Sequence, residues 1–205
     1  FTGSAGFCAV LPHVAGVFID GRYTVQVRSQ VDLAHFTPVS WPGTSLSDWL
    51  DEQLPKGGVI GFDPWLHSVE EIERARKKGE KQGITFRPVR NFVDQIWADQ
   101  PAPPMGLFSV HPDDRAGEPA SSKSERLGKS LSAAGQTCAV LTLPDSIAWL
   151  LNIRGTDIQR NPVPHGFAVL HSDGQVDLYC APEKLTDAVR AHLGNGVALH
   201  PVEAF

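Results

Sequence analysis

Short apolar runs, punctuated by turn residues, alternate along the chain with stretches of helical spacing. Residues 6–11 and 16–19 are apolar runs split by Pro12-His13-Val14-Ala15, which predicts a β-hairpin. Asp20-Gly21 then turns the chain, residues 23–31 predict a helix, and residues 36–39 predict a strand. Residues 45–54 are amphipathic, with Leu46, Trp49, Leu50 and Leu54 on one face. Ser45 with Asp48, and Ser68 with Glu71 ahead of a charged helix reaching about residue 82, can satisfy the amide groups that a helix start leaves open. Gly57-Gly58 precedes a strand at 59–62, Gly83 precedes one at 84–89, and Asn91 with Asp94 caps a helix through Trp97.

Pro101-Ala102-Pro103-Pro104 is the clearest linker signal. Residues 109–121, rich in Ser, Pro, Asp and Gly, read as a loop, and Ser122 with Glu125 reads as the cap of a helix that turns Leu127, Leu131 and Ala134 inward. Residues 138–143 read as a buried strand. Pro144 then opens a helix carrying Ile147, Trp149, Leu150 and Leu151, a position where its missing N–H costs nothing. Arg154-Gly155 ends that helix, and Asn161-Pro162 with Pro164 forces an irregular crossing. Residues 166–171 and 175–180 meet across Ser172-Asp173-Gly174, a strong hairpin signal because Gly accepts positive φ. A helix over 183–193 and a strand over 197–200 follow. This alternation implies α/β layers with a substantially parallel or mixed sheet.

Gly6-Phe7-Cys8-Ala9-Val10-Leu11 is similar to Gly166-Phe167-Ala168-Val169-Leu170, at an offset of about one domain length. Under a duplication, the first copy lacks its opening strand and helix. The second has them at 122–151 but lacks the strand–helix–strand seen at 59–89. The expected boundaries are therefore 1–90 for the back of one α/β domain, 91–105 for a helix and Pro-rich linker, and 106–205 for the front of another. Cut sheets expose unpaired edges and apolar faces, so the chain reads as a portion of a longer polypeptide.

With 41% hydrophobic and 20% charged residues among 205, the chain has an ordinary globular composition. A net charge of −5 argues against nucleic-acid or anionic-membrane partners, which call for a basic face. Cys8, Cys138 and Cys180 are odd in number and lie in apolar runs, so they read as buried thiols in a reducing compartment rather than a disulfide framework. No apolar run approaches the length of a membrane span. Phe1 is not a natural start, which leaves targeting undecided.

None of the eight histidines has a metal-ligand spacing; His111, His165 and His200 adjoin prolines and read as loop or strand-end residues. Asp113-Asp114 and Glu70-Glu71 lie in polar surroundings and read as solvated surface. Ser4 in Gly3-Ser4-Ala5-Gly6 lacks the following helix and Lys of a phosphate loop. Arg154 and Arg160 flank the irregular crossing, where Arg commonly ties down carbonyls. Arg22, after the turn Asp20-Gly21, can project from a sheet edge. Its reading stands between a functional guanidinium and a salt bridge to Asp20 or to a neighbouring domain.

IAWLLNIRG (147–155) followed by D-x-x-x-NPV (157–163) resembles the middle domain of cytosolic-type Xaa-Pro aminopeptidases, of the creatinase/prolidase "pita-bread" metallopeptidases. FTGSAGF (1–7), DGRY (20–23) and NFVDQIWADQP (91–101) support it, in the family's order across nearly the whole chain. The resemblance implies an α/β fold of two related creatinase N-terminal-like domains with mixed sheets, each incomplete here, and without the catalytic pita-bread domain. It further implies a parent metalloaminopeptidase that releases an N-terminal residue preceding proline. That parent would use two divalent metals, manganese among the candidates, bound outside these residues. This portion would hold no catalytic or metal-binding residue, wall the active site, limit substrate length and support a cytoplasmic homodimer. Arg22, in the DGRY motif, would be its substrate-binding residue. A non-catalytic peptide- or protein-binding module of the same fold, or a creatinase-type hydrolase of a small guanidino acid, are the alternatives.

Overall fold

The capping residues do most to decide where the helices begin. The computed structural model describes all 205 residues, which divide into two units, Phe1–Gln100 and Pro101–Phe205. In the first unit, strands β1 (Gly6–Val10) and β2 (Ala15–Ile19) form the expected antiparallel hairpin, with Cys8 opposite Val17. Helix α1 (Thr24–Gln30) crosses over to β3 (Phe36–Ser40), which lies parallel to β2. Helix α2 (Leu46–Gln53) starts where the Ser45 side chain accepts the Asp48 amide. Strand β4 (Gly58–Phe62), helix α3 (Val69–Gly79), capped by Ser68, and strand β5 (Ile84–Pro88) make a parallel crossover. Asn91 caps α4 (Phe92–Ile96), its side chain accepting two amides.

One apolar core joins Phe18, Val39, Trp49, Leu50, Ile84 and Phe86, so β2 and β3 share it with α2 and β5. On the other face of β2, Val17 and Ile19 pack with Val27 of α1. Period-2 alternation sends neighbouring residues of β2 to these two cores.

In the second unit, β6 (Ser109–Val110) and α5 (Asp113–Ala116) occupy the stretch read as loop. Asp113 holds this segment by accepting the Asn152 amide nitrogen, 2.9 Å. Helix α6 (Ala120–Ala133) begins two residues earlier than its sequence cap. Pro119, with φ −59°, starts it, and Ser122 instead donates to Glu118 at 2.9 Å. Strand β7 (Cys138–Leu141) is followed by α7 (Pro144–Leu151) with Pro at its first position, as expected. That helix ends at Asn152 in the left-handed conformation (φ 49°, ψ 49°), not at Arg154-Gly155, and the chain passes directly into β8 (Ile153–Arg154), which pairs with β6. Strands β9 (Phe167–His171) and β10 (Val176–Tyr179) form the second hairpin. The helix read over 183–193 is two pieces. A tight turn at Pro182–Lys184 precedes α8 (Asp187–Leu193), whose start is set by Thr186 accepting the Val189 amide. Strand β11 (Val197–His200) lies parallel to β10, giving a mixed sheet in the order β11-β10-β9-β7.

Residues of α7, α8, β9 and β10 form the core of this unit, including Ile147, Leu150, Leu178 and Val189, each no more than 1% exposed. The cysteines correct their reading: only Cys180 is buried, and burial pushes its thiol up to about 11, whereas Cys8 and Cys138 are exposed. Both exposed thiols sit on strands with one unpaired edge, β1 and β7, where an apolar run does not guarantee cover.

Candidate functional site

Asp20 caps the tight turn Gly21–Tyr23 by accepting the Arg22 amide, 2.9 Å, and this places Arg22 just past the end of β2. The same carboxylate grips the guanidinium, with Nε 3.1 Å from both oxygens and Nη2 2.5 Å from Oδ2. Hydrogen bonding from Arg22 holds the Asp20 carboxyl below its ordinary range and raises the guanidinium in turn. The Arg22 side chain is still 66% exposed, so water screens the pair, and its main effect is on orientation. Its Nη1 edge donates to no group of the chain, and its carbon lies 5.1 Å from the Tyr23 ring centre.

The residues before β1 brace this corner. The Tyr23 hydroxyl hydrogen-bonds the Ser4 hydroxyl, and Phe1 meets the Tyr23 ring edge-on at 5.6 Å. The Thr2 amide donates to Gln30 of α1, 2.9 Å. The arrangement offers a planar donor fork, held from one side and open on the other, which suits a carboxylate or carbonyl oxygen. The structure thus forms the Asp20 salt bridge and leaves guanidinium surface free.

Several of the other sequence candidates have structural partners. Ser4 serves Tyr23. Arg154 ties down the carbonyls of Ile153 (2.8 Å) and Ala148 (3.4 Å). Glu70 pairs with Arg74 along α3, and Glu71 of α3 with His67 just before its cap. Arg160 takes positive φ, 64°, at the irregular crossing.

Sequence reasoning missed three polar clusters. The side chain of Asp157, in the D-x-x-x-NPV stretch, is fully buried and pairs with Lys184 at 2.5 Å, while accepting the amides of Gly106 and His165. Lys123 is 1% exposed; it donates to the Trp149 carbonyl (2.7 Å) and Asn152 Oδ1 (2.6 Å) at the end of α7, and burial lowers its pKa. Asp177 bridges His171 (2.8 Å) and His200 (2.9 Å) across β9, β10 and β11, and hydrogen bonds from both imidazoles lower its pKa. Asp157–Lys184, Lys123–Asn152 and Asp177–His200 are 27, 29 and 23 residues apart, so only the folded chain brings them together, whereas His171 faces Asp177 across the β9–β10 hairpin, six residues away. No group of three or more His, Cys, Asp or Glu side chains is arranged to hold a metal, so no metal-dependent step is assigned to these residues.

Two concavities remain. A cleft of about 600 Å³ at the carboxyl ends of β4 and β5 is lined by Asp63, Trp65, Arg90, Asn91 and Asp94. An apolar groove of about 420 Å³ in the second unit is lined by Leu127, Leu131, Leu141, Trp149 and Leu150. Neither contains a nucleophile–base pair.

Family models described as Creatinase/Prolidase N-terminal domain match residues 1–96 and 99–205. Across its whole length the chain is 35% identical to a probable Xaa-Pro aminopeptidase P of Talaromyces marneffei and 33% identical to aminopeptidase P2 of Arabidopsis thaliana, covering 32% and 29% of those proteins. The crystal structure of an X-prolyl aminopeptidase from Caenorhabditis elegans, described as a cytosolic enzyme with a di-nuclear active site, superposes with a TM-score of 0.91 over 99% of the chain, at 31% identity and 34% of that chain. The chain thus spans about a third of the length of the relatives it matches.

Proposed function

The chain belongs to the creatinase/prolidase N-terminal domain family, and from that premise we propose that it is the non-catalytic front of a metal-dependent Xaa-Pro aminopeptidase. One observation carries this reading. Both units, in order, align with relatives of that name, of which the chain spans about a third. The parent releases an N-terminal residue that precedes proline, with two divalent metals, manganese favoured, held by residues outside this chain. Residues 91–105 connect the two domains. The chain narrows access to the active site so that only short peptides enter, and it supports a cytoplasmic homodimer.

In this reading Arg22 binds substrate. Its fork reaches a peptide carboxylate or carbonyl while Asp20 fixes its direction. Arg22→Ala in the intact polypeptide is expected to lower kcat/KM for an Arg-Pro-Pro peptide by roughly tenfold or more, the scale of one charged hydrogen bond. The fold should be unaffected, since the side chain is largely exposed. Unchanged kinetics would remove the proposed role. Manganese-dependent release of the first residue by the intact polypeptide, and none by these 205 residues alone, tests the wider reading. A polypeptide that binds such peptides without cleaving them would favour the non-catalytic module instead.

A further inference from the structure

The Tyr23 ring joins the packed interior of the first unit to the Arg22 guanidinium. Tyr23 is half-buried and packs against the cluster of Val17, Ile19 and Val27, where α1 lies on β2. Its hydroxyl hydrogen-bonds the Ser4 hydroxyl, and Phe1 meets it edge-on, with 5.6 Å between ring centres and 85° between planes. Phe1 fits there because Gly3 has no side chain; a Cβ on Gly3 would collide with the Phe1 ring. The guanidinium carbon of Arg22 lies over the same Tyr23 ring, 5.1 Å from its centre, within reach of cation–π attraction. Hydrogen bonding with Ser4 lowers the Tyr23 pKa, and the Arg22 charge lowers it further.

Asp20 alone does not settle where the fork points. Its bonds to Nε and Nη2 keep carboxylate and guanidinium close to one plane. That plane can still tilt, because the Arg22 side chain is largely exposed and no other group of the chain hydrogen-bonds its guanidinium. A ring over the guanidinium opposes the tilt. The ring cannot follow it, being held by the apolar cluster, by Phe1 and by Ser4. Water screens the attraction, so its effect is on direction rather than on stability. Rotamer freedom that the guanidinium has already lost is not lost again on binding.

We propose that Tyr23 is a positioning residue of the candidate site, its ring holding the Arg22 guanidinium so that the free Nη1 edge meets a substrate oxygen already ordered. The ring face supplies the contact, and the hydroxyl serves only to hold the ring. Tyr23 itself does not touch the substrate. The inference rests on the reading that Arg22 binds substrate.

The test is a double-mutant cycle in the intact polypeptide, read with the Arg-Pro-Pro peptide. Tyr23→Leu should lower kcat/KM roughly three- to fivefold, the scale of an exposed cation–π contact, and in the same parameter, KM or kcat, that Arg22→Ala changes. Tyr23→Phe keeps the ring and should stay within about twofold of the wild type. In the Arg22→Ala background, Tyr23→Leu should change nothing further. A Tyr23→Leu loss that persists undiminished in that background would mark general damage to the fold and would overturn the inference. Tyr23→Phe as damaging as Tyr23→Leu would make the Ser4 bond the operative contact and would overturn it too. Wild-type kinetics in Tyr23→Leu, beside an Arg22→Ala variant that is impaired, would overturn this inference alone. Wild-type kinetics in Arg22→Ala would overturn the reading beneath it, and this inference with it.

Discussion

Asp157→Ala is expected to destabilise the second unit by about 3–5 kcal/mol, the cost of stranding a buried charge by removing its partner. The Lys184 ammonium would keep the His165 carbonyl, at 3.2 Å, as its one hydrogen-bond acceptor, with the Phe108 ring centre 5.2 Å away, and the Gly106 and His165 amides would lose their acceptor. Lys184→Ala should cost a similar amount for the reciprocal reason, while the double replacement Asp157→Leu with Lys184→Met should cost less than either single change. Burial opposes the charge on Asp157, but the Lys184 bond and the two amides outweigh it, so its folded pKa is lowered. A lowered carboxylate pKa adds stability above the unfolded value of about 4, and that stability is lost as pH falls through the folded value. Acid should therefore loosen the second unit in the wild type, and this part of the pH dependence should vanish in Asp157→Leu/Lys184→Met. Urea unfolding at several pH values, read by amide exchange in β9 and α8, measures both effects. A single-site loss below about 1 kcal/mol would show that the pair contributes little.

Phe18→Ala should cost the first unit about 3–5 kcal/mol, as for a large aromatic removed from a packed core. The Phe18 ring is fully buried, stacks on Phe7 with centroids 4.4 Å apart, and meets Trp49 edge-on at 5.5 Å. Trp49 fits there because Gly16 has no side chain: a Cβ would come within 2.8 Å of the indole. Phe18→Leu keeps most of the volume and should cost less than half as much. Amide exchange in β2 and β3 provides the readout, and a loss under about 1 kcal/mol would mean that the core closes around the gap.

The helices α2 and α3, the helix opening at Pro144 and both hairpins were legible because local chemistry determines them. Ser45, Ser68 and Asn91 cap where their short side chains reach an orphan amide. The misplaced start of α6 shows how such patterns compete: Pro119 sets the backbone before Ser122 can act as a cap. The end of α7 was illegible for another reason. Asn152 adopts the left-handed turn there while its side chain joins Lys123, Asp113 and the Glu118 carbonyl, all far off in sequence. Cys8 and Cys138 lie in apolar runs yet are exposed, because cover depends on which strand lies alongside. At the candidate site, the Asp20–Arg22 clasp was legible from a two-residue spacing. Its brace through Ser4, Phe1 and Gln30 depends on α1 folding back against the first residues. The Asp157–Lys184 pair, 27 residues apart, left no local trace.

The measurement that bears most directly on the whole account is the intact mass of the natural protein. If these residues are the front of an aminopeptidase, the mass should lie far above the 22.2 kDa of this chain, on the scale of relatives of which it covers about a third. A mass of 22.2 kDa, for a protein that is soluble and inactive, would contradict that and make the chain a free-standing module.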